Sequence, residues 1–257
     1  MALPILKWAG GKRWLTEAIS HYYDPQRRLV EPFCGGMAIA LGLQPREALL
    51  NDVNPHLINF YRQVQAGEIL IKDLMIHDKD AYYQNREKFN NLIKEGKYDT
   101  VEAATLFYYL NRTGFNGLCR FNQKGFFNVP FGRYKTVNYQ ADFRGQIPDK
   151  WSFTCDSYCD INIGENDFIY TDPPYDTEFT HYSRNGFSWQ DQVEVADWLS
   201  SLDNPVIASN QGTSRIIELY TERGFTIEYI DVRRSIGASV RGKAKEILAK
   251  KNIGYHD

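Results

Sequence analysis

Short apolar runs followed by helix-periodic segments, at both ends of the chain, constrain its architecture more than any other feature. "RLVEPFCGGMAIALGL" reads as a strand at Leu29 and Val30, a Gly-Gly turn and a helix from about Met37. "ALLNDVNPHLINFYRQVQ" repeats the pattern: a strand around Ala48 to Leu50, then Asn54 as N-cap with Pro55 at the first helical position. Strands return at Trp151 to Cys155, Asp167 to Thr171 and Val206 to Ser209, with helices near Ser188 to Leu202 and Ser214 to Arg223. "FTIEYIDVRRSI" is β-rich, and "EILAKKN" is placed to pair with it as a hairpin. This alternation predicts an α/β fold with a mostly parallel sheet.

The middle of the chain breaks the pattern. Helical periodicity runs over roughly 68 to 111, with Leu106, Tyr109 and Leu110 on one face, and a loop-rich basic stretch follows. An inserted, mainly helical domain over 56–145 accounts for the break, leaving 1–55 and 146–257 to form the sheet domain.

Composition bounds the function classes. With 257 residues, 43% hydrophobic and 24% charged, the chain is an ordinary globular sequence. No apolar run approaches the roughly 20 residues of a membrane span, and "MALPILKWAGGK" lacks the basic start and long apolar region of a signal peptide. Cys34, Cys119, Cys155 and Cys159 form no Cys-x2-Cys pair and the five histidines do not cluster, so a reduced, metal-free, cytoplasmic protein is expected.

The net charge of −2 does not suggest a polyanion binder, but its distribution does. Residues 111–135, "NRTGFNGLCRFNQKGFFNVPFGRYK", hold Arg112, Arg120, Lys124, Arg133 and Lys135 and no acid. "VRRSIGASVRGKAKEILAKK" carries Arg233, Arg234, Arg241, Lys243, Lys245, Lys250 and Lys251 against Glu246 alone. Either cluster by itself is compatible with a merely solvated face; together they describe a sorted surface.

In open α/β sheets ligands sit beyond the carboxyl ends of the strands, and three suggestive stretches fall there. "EPFCGG" follows the first strand, and "NDVN" follows the second, placing Asp52 17 residues after Gly35, a spacing suited to a ribose-binding acid. Without a G-x-G-x-x-G pyrophosphate cradle, this points to an adenosine carrier such as S-adenosylmethionine rather than NAD. The third stretch, "FIYTDPPY", ends a strand in two prolines, which hold Asp172 and Pro173 extended. The Asp172 carboxylate and the Pro173 carbonyl are then two acceptors on a stiff corner (Pro173, Pro174) beside the ring of Tyr175. A planar amino compound matches them, two N–H groups to two acceptors with its face on the ring. Accepting both hydrogens draws electron density onto a poorly nucleophilic exocyclic amine, a gain of positioning and preorganised electrostatics.

These stretches together resemble the Dam-type DNA adenine-N6 methyltransferases, the D12 class, over nearly the whole chain and in the family's motif order. "LKWAGGKRWL" is similar to the family's N-terminal cofactor motif, "VEPFCGGMAIAL" to its glycine motif, "YTDPPY" to its catalytic motif and "LNRTGFNGLCRFNQKGFFNVPFGRYK" to its target-recognition segment. The resemblance implies a Rossmann-like methyltransferase sheet, S-adenosylmethionine as cofactor, no metal, and double-stranded DNA containing 5′-GATC-3′ as partner, with no obligate protein partner and no membrane. It places Trp8, Ala9, Gly10, Lys12, Phe33, Gly35, Asp52, Asp156, Ser157, Tyr158 and Asp172 around the cofactor. It implies DNA contacts from Lys7, Asn111, Arg112, Phe115, Asn116, Leu118, Arg120, Asn122, Lys124, Pro130, Arg133, Tyr134 and Lys135, and from Arg233 and Arg241 in a basic hairpin.

Arg120 suits guanine in the major groove, Phe115 a wedge into the stack that a flipped adenine vacates, and Arg133, Tyr134 and Lys135 the phosphates. Two departures stand out: Phe115 replaces the family's usual tyrosine, and "FCGG" replaces Phe-x-Gly-x-Gly. Rival readings are an amino methyltransferase acting on RNA adenine or a protein amide, and a catalytically silent DNA-binding relative.

Overall fold

The computed structural model describes residues 4–69, 71, 76–140, 142–175, 187–231 and 245–254. The strands are β1 (Arg28–Glu31), β2 (Ala48–Asn51), β3 (Trp151–Thr154), β4 (Asp167–Thr171), β5 (Val206–Gln211), β6 (Thr226–Asp231) and β7 (Lys245–Lys251). They form one sheet in the order β3-β2-β1-β4-β5-β7-β6. The first five are parallel, and β7 runs antiparallel to both β5 and β6. The mostly parallel α/β architecture expected from the sequence is borne out.

Side chains of successive strand residues point to opposite faces, and the two buried clusters sort accordingly. Leu29, Leu50, Phe168, Ile207 and Leu248 enter one cluster, while Val30, Leu49, Ile169, Ala208 and Ala249 enter the other. Because helices cover both faces, these strands are apolar throughout rather than alternating. The second face is covered by α6 (Trp189–Ser200) and α7 (Ser214–Glu222), through Val195, Leu199, Ile216 and Leu219.

The first face is covered by α1 (Thr16–Ser20), α2 (Ala38–Leu43) and α3 (Pro55–Gln65). Asn54 caps α3 as expected, its side chain accepting from the His56 and Leu57 amides with Pro55 at the first position. The helical stretch expected over 68–111 is two helices, α4 (Lys79–Lys94) capped by Asp78 and α5 (Val101–Thr113) capped by Thr100. The intervening "EGKYDT" combines a glycine with the next cap, and this stops the first helix. The segment 56–145 is not walled off from the sheet: Phe60, Tyr61, Phe107 and Tyr108 lie in the same cluster as Leu50 and Phe153.

The hairpin between β6 and β7 forms in register, Thr226 opposite Lys250 and Ile230 opposite Glu246. The returning strand is the inner one. Ile247, Leu248 and Ala249 are fully buried, whereas Tyr229 on β6 is 57% exposed. The unbroken apolar "ILA" suits a two-sided interior position, and the alternating "TIEYID" suits an edge.

Candidate active site and candidate nucleic-acid interface

Strand order reverses direction at β1, whose neighbours are β2 on one side and β4 on the other. Such a switch point opens a crevice beyond the carboxyl ends of the strands. Thr171 ends β4, so Asp172, Pro173, Pro174 and Tyr175 stand at the rim of that crevice.

The corner is held from several sides. Gln192 of α6 donates from Nε2 to the Pro174 carbonyl at 2.6 Å, and Asn210 of β5 donates to Gln192 Oε1 at 3.0 Å. Ser209 Oγ donates to Asp172 Oδ1 at 2.8 Å. The Lys12 ammonium lies 3.4 Å from the same oxygen, 3.8 Å from Glu246 Oε2 and 4.4 Å from the centroid of the Tyr175 ring, and donates to the Gly10 carbonyl at 3.0 Å. Tyr175 Oη donates to Glu246 Oε2 at 3.0 Å.

Burial raises the Asp172 carboxyl to about 6, against the opposing influence of Lys12 and Ser209. Burial, followed by the charges of Asp172 and Glu246, pushes the Tyr175 hydroxyl well above its ordinary range, so it remains a donor. Glu31, at the end of β1, accepts from the Ala40 amide at 2.7 Å and is raised to about 8, first by burial.

The expected cofactor residues line the adjoining rim. Asp52 follows β2 and accepts from the Gly35 amide at 3.2 Å and the Asn54 amide at 2.9 Å. Burial raises it to about 6. Two N–H donors on a carboxylate with about four acceptor positions leave capacity for a pair of hydroxyls, so the donor set fits a ribose. The rings of Phe33 and Tyr158 lie 5.4 Å apart, making an apolar wall, while Asp156 and Ser157 beside them are exposed.

Gly35 is left-handed at φ +43°, and a Cβ there would stand 2.6 Å from Trp8 Nε1. The two glycine-containing motifs therefore meet through the Trp8 ring, with Ala9 and Gly10 exposed beyond it. Asn51 fastens the rim: its amide donates to the Pro32 and Asp156 carbonyls and accepts from Thr154 Oγ1 and the Asp156 amide.

The basic stretch expected to recognise the target runs out along α5 and returns. The Phe115 amide donates to the Pro130 carbonyl, the Gly132 amide to the Thr113 carbonyl, and Phe121 and Phe127 form an antiparallel bridge. Asn90 of α4 brackets Phe127 through both its N–H and C=O, and Tyr82 donates to the Val129 carbonyl. On this frame Phe115 is 49% exposed, and Asn116, Arg120, Lys124, Pro130, Arg133 and Lys135 are exposed too. Arg120 is braced by Asn128, with Nε donating to Oδ1 at 2.8 Å.

Other expected DNA contacts are occupied within the protein. Asn111 is 2% exposed and pairs both backbone groups of Lys7 while donating to the Gly117 carbonyl, so it positions Lys7 and the turn. Arg112 donates to the Asn138 carbonyl, Asn122 shapes the turn at Lys124 and Phe126, and Leu118 packs partly into the core. Tyr134 donates to the Gly114 carbonyl and carries the Lys7 ammonium 3.9 Å above its ring. Arg233 and Arg241 lie outside the described residues.

Ser209, Gln192, Asn210, Asn51, Glu31 and Glu246 escaped the sequence reading. For Glu31, Asn51, Ser209 and Asn210 the local signal is polarity at the ends of apolar strands, as in "ALLN" and "VIASN", and for Glu246 its place as the one acid in a basic run.

Comparison with known proteins bears on the same residues. The profile described as "D12 class N6 adenine-specific DNA methyltransferase" matches residues 8–236. The chain is 37% identical over 264 residues to the "Retron Ec67 DNA adenine methylase" of Escherichia coli, covering 95% of this chain and 90% of that one. It is 36% identical over 266 residues to the "DNA N-6-adenine-methyltransferase" of Escherichia phage P1, covering 95% of this chain and 35% of that longer protein. It is 35% identical over 268 residues to the "DNA adenine methylase" of Escherichia coli (strain K12), covering 95% and 93%. With the match spanning both the Asp172 corner and the basic target segment, the chain belongs to the D12 class N6 adenine-specific DNA methyltransferase family.

Proposed function

We propose that this DNA adenine methyltransferase takes its methyl group from S-adenosylmethionine, draws the target adenine out of the duplex, and acts within 5′-GATC-3′. The observation that carries the reading is the Asp172 carboxylate and Tyr175 ring on a braced proline corner, next to the rim formed by Trp8, Phe33, Gly35 and Asp52. When bound, S-adenosylmethionine supplies an electrophilic methyl on sulfur. Asp52 accepts from ribose hydroxyls, Phe33 and Tyr158 provide apolar contact, and Trp8, Ala9, Gly10 and Lys12 face the amino-acid end.

The protein's part in the chemistry is to handle the adenine amine. Asp172 and the Pro173 carbonyl accept its two N–H groups and draw density onto nitrogen, while the Tyr175 ring supports the face of the base. A base in a duplex cannot reach such a corner, so the target leaves the stack, and the exposed Phe115 fills the gap. Arg120 reads guanine and Arg133 and Lys135 hold phosphates. The GATC preference is supported by the likeness of residues 110–135 to the family's target segment.

Methylation-sensitive digestion of plasmid DNA from cells expressing the chain tests the reading. Protected GATC sites are expected, and Asp172→Ala abolishes the protection. Equal labelling by radioactive cofactor of duplexes with and without GATC refutes the site preference.

A further inference from the structure

We propose that Glu246 is a positioning residue for methyl transfer, holding the Tyr175 ring where the target base meets it. In the basic run over 232–251 it is the sole acid, and a solvated glutamate would be the ordinary expectation there. Instead its side chain is 16% exposed and turns inward, onto the Tyr175 hydroxyl at 3.0 Å and toward the Lys12 ammonium at 3.8 Å.

Strand pairing explains how it gets there. Glu246 lies opposite Gln211 on β5, two positions beyond Ser209, the residue that holds Asp172. Strand β5 and its neighbour β7 thus fix the two ends of the corner, Ser209 at the carboxylate and Glu246 at the tip of the ring.

A tyrosine ring at the end of a loop corner swings about χ1 and turns about its long axis. A hydrogen bond at Oη pins the far end of that axis. Because a phenolic O–H lies in the plane of its ring, an acceptor there also favours one ring plane. Lys12 on the ring face restricts the remaining freedom. Stacking a base on a ring already held costs less ordering than stacking on a mobile one. The hydroxyl is a dependable donor here, since burial and two carboxylates keep it protonated.

The inference rests on the proposed role of Tyr175 against the target adenine. The test is steady-state methyl transfer to a GATC duplex by Glu246→Ala, Glu246→Gln, Tyr175→Phe and the double variant Glu246→Ala/Tyr175→Phe. Glu246→Ala is expected to lower kcat about tenfold with the KM for S-adenosylmethionine within about twofold of wild type. Glu246→Gln keeps an acceptor oxygen and recovers kcat to within about threefold. Tyr175→Phe matches Glu246→Ala, and the double variant loses no more than either single one.

Wild-type kcat in Glu246→Ala, equal damage in Glu246→Gln, or losses that multiply in the double variant would each overturn the proposal. If Glu246→Ala fails to fold, Glu246→Leu, which keeps bulk on β7 without an acceptor, takes its place. Asp172→Ala separates the levels: turnover surviving there removes the reading of the site itself, whereas turnover lost there and intact in Glu246→Ala removes only the inference.

Discussion

Ser209 Oγ holds Asp172 Oδ1 at 2.8 Å, so the carboxylate delivered by β4 is oriented by its neighbour β5. The bond also favours the ionised form, opposing the burial that lifts the carboxyl to about 6. Ser209→Ala removes that influence, and the carboxyl rises further. The acid limb of the methyl-transfer rate against pH therefore moves to higher pH, with about a tenfold loss near pH 6 and a smaller one near pH 8.5. A rate profile that falls by one factor at every pH would show that the hydroxyl acts only through packing.

Lys12 and Glu246 bias the same carboxyl in opposite directions, which gives a signed pair of expectations. Lys12 is the strongest influence lowering Asp172, and Glu246 raises it. Lys12→Gln should carry the acid limb upward, further than Ser209→Ala does, while Glu246→Gln should carry it downward. The measurement is the midpoint of the acid limb, which is independent of any change in the plateau rate. Two shifts of the same sign would contradict the electrostatic account.

Gly35 joins the two glycine-containing motifs proposed to hold the cofactor, because nothing larger fits between it and Trp8. Gly35→Ala meets both a φ of +43° and the indole nitrogen at 2.6 Å. Calorimetric binding of S-adenosylhomocysteine should weaken by at least about tenfold, with the thermal unfolding transition still cooperative. Unchanged affinity would mean that the Trp8 ring is free to move away and does not shape the site.

The parts of the site that could be read from the chain are those whose geometry is local. Two prolines stiffen the Asp172 corner wherever it sits, Asn54 followed by Pro55 starts a helix in any context, and apolar quartets predict buried strands. The braces are different in kind. Ser209 is 37 residues from Asp172, and Glu246 is 71 residues from Tyr175, so the first brace exists only once β5 lies beside β4, and the second only once β7 lies beside β5. That adjacency was itself hidden. A hairpin between β6 and β7 was evident from two β-rich runs, but whether the returning strand lies inside or outside depends on which of them has two apolar faces. Asn111 shows the converse: an amide in a basic, loop-rich stretch looks available to DNA, yet it is spent on the backbone of Lys7, 104 residues away.

On the surface proposed to face DNA, base reading and phosphate holding should separate by salt. Arg120 is exposed and braced by Asn128, and Arg120→Ala should cost about 1–3 kcal/mol on the cognate duplex and narrow its margin over a duplex altered at one guanine. Lys135 is exposed within the basic stretch, and Lys135→Ala should weaken binding to both duplexes alike. The slope of log Kd against log salt should fall by about 1 for Lys135→Ala. Fluorescence anisotropy over a salt series on the two duplexes gives both quantities. A Lys135 variant that discriminates less but keeps its salt slope would reverse the roles.

Glu31 makes the stability of the protein depend on pH in a defined direction. Burial lifts its carboxyl from an ordinary 4.5 to about 8, with the Asp172 charge adding to the rise and the Ala40 amide opposing it. Between those values the folded chain keeps a proton that the unfolded chain has released. Its contribution to stability is therefore fully present below about pH 4.5, declines as pH rises, and is lost above about pH 8, at up to ~1.4 kcal/mol per pH unit. Asp172 and Asp52, each raised to about 6, add the same sign of slope over a lower window. Glu31→Gln keeps an oxygen for the Ala40 amide and has no proton to lose, so it isolates the contribution of Glu31. Urea unfolding of both proteins from about pH 5 to pH 9 should show the variant gaining on the wild type steadily until about pH 8, then running parallel to it. Curves that are parallel across the whole range would mean that Glu31 is ionised in the folded protein at neutral pH, compensated by partners other than Ala40.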